Sequence, residues 1–133
     1  MPKLLADTSA LVALAALEDR NHAAARRFLN DNPRARFVVT ELIVAEVASR
    51  LRTLAGAGRA ARVARSLLGS GRYELIFVDL DLLRGGLDRL VRLADKRLSL
   101  TDCASFELME HLGLDTAFTF DRDFRDCGFA MVP

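Results

Sequence analysis

What the sequence lacks sets the first limits. Its longest wholly apolar run, Ala10 to Leu17, is eight residues long, against the roughly 20 needed to cross a bilayer. Asp7 interrupts the apolar start that a signal peptide would need, so a cytoplasmic protein is expected. There are two cysteines, Cys103 and Cys127, with no CxxC spacing and no neighbouring histidine. That argues against a zinc site or a disulfide framework, and both read as small apolar residues. The three prolines, Pro2, Pro33 and Pro133, fall outside any helix interior. Repeats, low-complexity stretches and Pro/Gly/Ser-rich linkers are missing, and residues 1–133 read as a single domain.

Nor is there an excess of charge of either sign. Nineteen basic residues against eighteen acidic ones leave a formal net charge of +1, which is not the global footprint of a nucleic-acid binder. Contact with a polyanion must come from local patches. The basic residues are nearly all arginine, which suits bidentate phosphate recognition, although a GC-rich genome produces the same bias. GxxxxGK[ST] and GxGxxG are absent, so no nucleotide cradle is indicated. Ser9, within Asp7-Thr8-Ser9-Ala10, has no GxSxG context and reads as a helix-start hydroxyl able to touch a metal-bound water. Cys103 and His111 would lie about 12 Å apart along one helix at 1.5 Å per residue, too far for a nucleophile and its base. His22 and His111 read as surface residues.

What is present in quantity is apolar side chain, at 51% of residues with a positive mean hydropathy, which excludes a disordered chain. A globule of this length buries roughly two-thirds of the surface its unfolded form exposes. Apolar surface is left over for a partner subunit. Short apolar runs predict strands over Lys3 to Ala6, Arg36 to Val39, Tyr73 to Val78, Asp115 to Thr119 and Phe129 to Val132. Helical spacing covers Ser9 to Leu17, Ala23 to Asn30, Glu41 to Leu54, Arg59 to Leu68, Leu80 to Lys96 and Thr101 to Leu112. Gly56, Gly69 and Gly113 stand where helix C-termini are expected. Alternating strands and helices predict an α/β fold, a mostly parallel sheet covered on both faces. In such sheets ligands bind beyond the carboxyl ends of the strands, where strand order reverses.

Four acids are placed to meet there. Asp7 directly follows the first strand and Asp121 the fourth. Glu46 lies in the helix after the second strand, within Leu42-Ile43-Val44-Ala45-Glu46-Val47-Ala48, where an uncompensated charge is costly. Asp102 opens the helix whose far end leads into the fourth strand. Each has a local reading as well. Asp7 and Asp121 can cap the turns that follow them, worth about 1 kcal/mol each. Asp102 gains roughly 0.3–1 kcal/mol from a helix dipole, and Glu46 can pair with Arg50 at i+4 for about 0.2–0.5 kcal/mol. Together, however, such carboxylates would repel by about 4 kcal/mol per pair at 4 Å and an effective dielectric of 20, against a total stability of about 5–15 kcal/mol. Protons or cations must neutralise them, and oxygen-only ligands favour hard ions such as Mg²⁺ or Mn²⁺. Two such ions would activate a water and stabilise the leaving oxygen of a phosphodiester.

The residues that carry this chemistry also form a recognisable series. Ala6-Asp7-Thr8-Ser9 is followed by Thr40 to Glu46, reading T-E-L-I-V-A-E, then by Leu98-Ser99-Leu100-Thr101-Asp102 and Thr119-Phe120-Asp121-Arg122-Asp123-Phe124. In these four motifs, their order and their separations, the sequence resembles the PIN-domain family, and within it the VapC toxins of toxin–antitoxin pairs. The resemblance runs over essentially the whole chain. It implies a PIN-like three-layer α/β/α fold with a five-stranded parallel sheet, and Mg²⁺- or Mn²⁺-dependent endoribonuclease activity. It also implies homodimerisation and inhibition by a small VapB-type antitoxin. By position, Asp7, Glu46 and Asp102 match the family's central acids, and Asp121 its more variable fourth. Thr8, Ser9 and Thr119 fall where the family tends to carry hydroxyls. Asp123 stands where His or Lys is often found, so Asp121 and Asp123 compete for the metal-facing role; Asp121, immediately after the strand, is favoured.

For the RNA path, Arg59, Arg62 and Arg65 recur at every third residue and make either a basic stripe or a solvated face. Arg122, beside the acids, is the better candidate for a phosphate contact. The apolar faces of Glu41 to Leu54 and Arg59 to Leu68 are candidate dimer or antitoxin surfaces, or ordinary core. Three other readings compete: a phospho-accepting receiver domain, a PIN nuclease of RNA maturation or decay, and a PIN-like binding module without catalysis. The receiver needs paired acids after its first strand and a lysine after its last. Here the first strand ends in a lone acid, and neither lysine, Lys3 or Lys96, follows a late strand.

Overall fold

A computed structural model describes residues 3–133. Strands and helices alternate as β1 (Lys3–Ala6), α1 (Thr8–Ala15), α2 (His22–Asp31), β2 (Arg36–Val39), α3 (Glu41–Ala55) and α4 (Ala57–Gly69). They continue as β3 (Tyr73–Leu75), α5 (Leu80–Arg92), α6 (Leu100–Leu112), β4 (Thr116–Phe118), α7 (Asp123–Asp126) and β5 (Ala130–Val132). All five strands pair in parallel, in the order β3-β2-β1-β4-β5. In β1 and β2 only the first residue is exposed and the next three are buried. Consecutive buried side chains mean that both faces of the sheet are covered, giving the expected three-layer α/β/α arrangement. A receiver sheet runs 2-1-3-4-5, so the observed order removes that alternative.

Two aromatic clusters fill the core. Phe118 stacks on Phe28 at 5.0 Å and meets Phe37 at 5.4 Å, while Phe106 meets Phe124 edge-on at 4.8 Å and Phe129 at 5.5 Å. Helix α3 turns Ile43, Val47 and Leu51 inward at i, i+4 and i+8, and α4 buries Ala60 and Leu67. The apolar faces of these two helices are therefore largely core, with Leu54 and Leu68 left exposed. The exposed apolar stripe lies instead on α5, at Leu80, Leu87 and Val91, with Phe77 just ahead of it.

Most boundaries shift from the sequence pattern by no more than two residues, and two shift further. The run Tyr73 to Val78 pairs only through Leu75 because its neighbour ends: β2 stops at Val39, and Thr40 Oγ1 then caps α3 by accepting from Ile43 N at 3.2 Å. Ile76 N still donates to Val39 O, but Val78 N donates to the Glu41 side chain at 2.8 Å. Helix α5 ends at Arg92 rather than Lys96, and the following turn delivers buried Leu98 and the α6 cap, Ser99.

Helix α6 is docked closely on α5. A Cβ on Gly86 would stand 3.1 Å from Ala104 N and 3.2 Å from its Cα, tighter than ordinary contact, so glycine favours this approach of backbone to backbone. Nearby, buried Arg89 pairs with Glu107 through Nε at 2.5 Å and with Glu110 through Nη2 at 2.5 Å. Gly113 closes α6 in the left-handed conformation, φ 69°. None of the described helices is long and apolar enough to cross a membrane.

Candidate active site

Strand order reverses between β1 and β4, which lie side by side in the middle of the sheet. Asp7 leaves β1 there, with its N–H donating to Phe118 O at 3.0 Å. Its Oδ2 accepts from Ser9 N at 3.3 Å, Ser9 Oγ at 2.9 Å and Thr119 Oγ1 at 2.9 Å. A hydroxyl has one hydrogen, and here both hydrogens go to the carboxylate. The 3.2 Å approach of Ser9 Oγ to Thr119 Oγ1 is then a contact, not a further bond. Their lone pairs accept instead, Ser9 Oγ from Phe120 N and Thr119 Oγ1 from Asp121 N, each at 3.0 Å. This circuit joins the ends of β1 and β4 and sets the start of the Asp121 loop. Burial pushes the Asp7 carboxyl above its ordinary range, and the bonds from Ser9 and Thr119 oppose that shift.

Asp102 enters from α6. It completes a capping box: its Oδ2 accepts from Ser99 N, and Ser99 Oγ accepts from Asp102 N, both at 3.1 Å. Burial raises its carboxyl to about 6, the Ser99 bonds oppose the rise, and the negative charges of Asp7 and Asp121 add to it. Asp121 Oδ1 accepts from Asp123 N at 2.9 Å. The Asp123 carboxyl is raised by burial and then by Asp121 and Asp126. Glu46 is half-buried on α3, its Oε1 4.0 Å from Arg50 Nη2. The local roles expected of these acids are thus present alongside their convergence.

Asp7, Glu46, Asp102, Asp121 and Asp123 line one pocket of about 380 Å³, with Thr8, Ser9 and Ser99 between them. Arg50 and Arg97 complete the wall. Thr119 is fully buried behind Asp7 and acts through it. Among the described residues, no three His, Cys, Asp or Glu side chains stand close enough to grip one metal ion as they are placed. The pocket is a basin of mutually repelling carboxylates. Its donors nevertheless suit a hard divalent cation, since every acidic group offers oxygen. Thr8 Oγ1 is buried there without a hydrogen-bond partner, a polar atom with capacity to spare for a ligand shell.

Arg122 is exposed at the start of α7 and does not line the pocket. Arg59, Arg62 and Arg65 are exposed on α4, and Arg59 Nη2 donates to Ala15 O at 2.6 Å. Sequence reasoning missed Arg97 and Ser99 as pocket residues and treated Arg50 only as a pairing partner of Glu46. The i+4 spacing from Glu46 was a usable signal for Arg50. His22 is half-buried rather than on the surface, its Nδ1 2.7 Å from Ala13 O near the end of α1. A larger concavity of about 420 Å³, lined by Ala15, Leu17, Glu18, Asp19, Leu54 and Arg59 among others, gathers fewer titratable groups, so the acidic pocket is the candidate site.

A five-stranded parallel sheet with acids gathered at its switch point defines a class, and residues 4–130 match the PIN domain family. The chain belongs to that family. Two curated relatives are the 23S rRNA-specific endonuclease VapC20 of Mycobacterium tuberculosis, from strains CDC 1551 / Oshkosh and H37Rv. Each is 30% identical over 129 residues, 97% of this chain and of the relative. The crystal structure of Mycobacterium tuberculosis VapC20, described as a Sarcin-Ricin loop cleaving toxin, matches with a TM-score of 0.90 and 27% identity over 96% of both chains. The PIN fold and VapC-type nuclease character expected from the sequence are borne out by these likenesses.

Proposed function

We propose that this chain is an endoribonuclease toxin of a VapB–VapC pair, hydrolysing RNA phosphodiesters with Mg²⁺ or Mn²⁺ held by Asp7, Glu46, Asp102 and Asp121. The observation that carries the reading is the gathering of these acids in one pocket at the switch point of a PIN sheet. A divalent ion, when bound, supplies Lewis acidity towards the phosphate and lowers the pKa of water. The chain's residues prepare the site. Ser9 and Thr119 fix Asp7, the Ser99 capping box fixes Asp102, and Asp123 N–H holds Asp121. Thr8, Ser9 and Asp123 line the same pocket and would orient the ion's surroundings, while exposed Arg122, next to Asp121 in sequence but outside the wall, would meet a phosphate from there.

The relatives' named substrate makes ribosomal RNA the first substrate to try. The protein works in the cytoplasm as a homodimer, the second copy covering the exposed apolar face of α5. Its VapB-type antitoxin keeps it inactive. The test is cleavage of total and ribosomal RNA by wild type and Asp7→Asn, each with Mg²⁺, Mn²⁺ or EDTA. Cutting that needs metal and vanishes in the variant is expected. Cutting that survives EDTA, or no cutting by wild type freed of antitoxin, would sink the reading.

A further inference from the structure

Five carboxylates and two guanidiniums line the pocket. A bound metal ion would offset the acids, but would leave the phosphates on either side of the scissile group without a cation. Neighbouring phosphates of a polyanion approaching this wall need cations of their own, and net charge near zero means that the protein as a whole supplies no attraction. Arg50 stands 4.0 Å from Glu46, a loose i,i+4 pair. Arg97 differs: it is exposed, it lines the same pocket, and among the described residues it makes no ion pair and no side-chain hydrogen bond. It therefore stands beside the acids without being neutralised by them. Its place is set by the fold, two residues before the α6 cap Ser99 and next to buried Leu98, on the wall that carries Asp102.

We propose that Arg97 is a substrate-positioning residue that grips a non-scissile phosphate of the RNA strand with its planar guanidinium. This rests on the endoribonuclease reading above. The guanidinium fork matches two phosphate oxygens at once, which a lysine ammonium cannot do. A contact to a phosphate that does not react is made equally in the ground and transition states. Its loss raises KM and leaves kcat in place.

The experiment compares wild type with Arg97→Ala, Arg97→Lys and Arg34→Ala on an RNA cut at one position, over a series of salt concentrations. Arg34 is exposed and outside the pocket wall, so it controls for the change in net charge. In parallel, binding of the same RNA is measured by fluorescence anisotropy in an Asp7→Asn background, and Mn²⁺ binding by calorimetry. Arg97→Ala is expected to raise KM by about tenfold with kcat within about twofold, and to lessen the slope of log affinity against log salt by about 0.7, one single-strand phosphate contact. Arg97→Lys recovers part of the affinity and the whole slope, and Mn²⁺ binding and thermal stability are unchanged. Wild-type KM and salt slope in Arg97→Ala would overturn the proposal while leaving the nuclease intact. RNA binding that depends on Arg97 in a protein that never cuts would instead overturn the catalytic reading and uphold the contact. Absence of RNA binding altogether would overturn both.

Discussion

Thr119 Oγ1 donates to Asp7 Oδ2 at 2.9 Å, joining two strand ends 112 positions apart in sequence. The same oxygen accepts from Asp121 N, so one buried hydroxyl holds one acid and sets the loop that carries another. Thr119→Val keeps the shape and removes both bonds. It leaves a buried carboxylate short of a donor, and should cost about 2–3 kcal/mol in urea unfolding. Thr119→Ser loses one methyl group, about 1 kcal/mol. Equal losses in the two variants would mean that the hydroxyl contributes little.

Asp102 should make the metal-free protein less stable as pH rises. Its carboxyl titrates at about 6 when folded against an ordinary 3.8, so the folded chain binds this proton more tightly than the unfolded one. The penalty is absent below pH 3.8, grows through the interval, and is complete above about 6, at about 3 kcal/mol. In EDTA, Asp102→Asn is expected to be more stable than wild type at pH 7.5, with the gap closing by about pH 4. A gap independent of pH would rule out the burial and repulsion behind the shift. Saturating Mg²⁺ should narrow or reverse the gap, because only wild type gains the full ligand.

Gly86→Ala sets two effects against each other. Alanine gains about 1 kcal/mol in helix propensity, while its Cβ would meet the α6 backbone at 3.1 Å, an overpacking that costs about 1–3 kcal/mol. Backbone cannot rotate away, so net destabilisation of about 1 kcal/mol is expected. Because α6 carries Asp102, Mn²⁺ affinity measured by calorimetry should fall as well; a stabilised variant with full affinity would show that the two helices have room to spare.

Self-association should depend on α5. Val91 is 77% and Leu87 45% exposed. Replacing both with Glu puts charge on the exposed apolar stripe of α5. Light scattering is expected to give a dimer for wild type and a monomer for the double variant at micromolar concentration, with the melting temperature of the variant monomer within a few degrees. A wild-type monomer would remove the dimer.

Much was legible from local chemistry. Strand and helix periodicity, the cap at Asp7 and Gly113 at the end of α6 depend on neighbours a few residues away, and the sequence by itself determined them; the caps at Thr40 and Ser99 are equally local but emerged only in the structure. It also determined that Asp7 stands at the sheet's carboxyl edge, because an acid immediately after a parallel strand has nowhere else to emerge; Asp121, three residues beyond β4, and the helical acids Glu46 and Asp102 reach it through the packing of their elements. Tertiary structure alone decided how the acids are held. The hydroxyl circuit joins β1 to β4, and the Asp102 carboxyl is raised by burial and by Asp7 and Asp121, all through space. It also decided which cations reach the pocket. Arg122 is next to Asp121 in sequence yet lies outside the wall, whereas Arg97 and Arg50 arrive there on elements remote in sequence. The short β3 has the same cause, since a strand can pair only as far as its neighbour extends. Hydrogen-bond spacing and side-chain period act along the chain, but charge, burial and pairing act between segments that only the packed fold brings together.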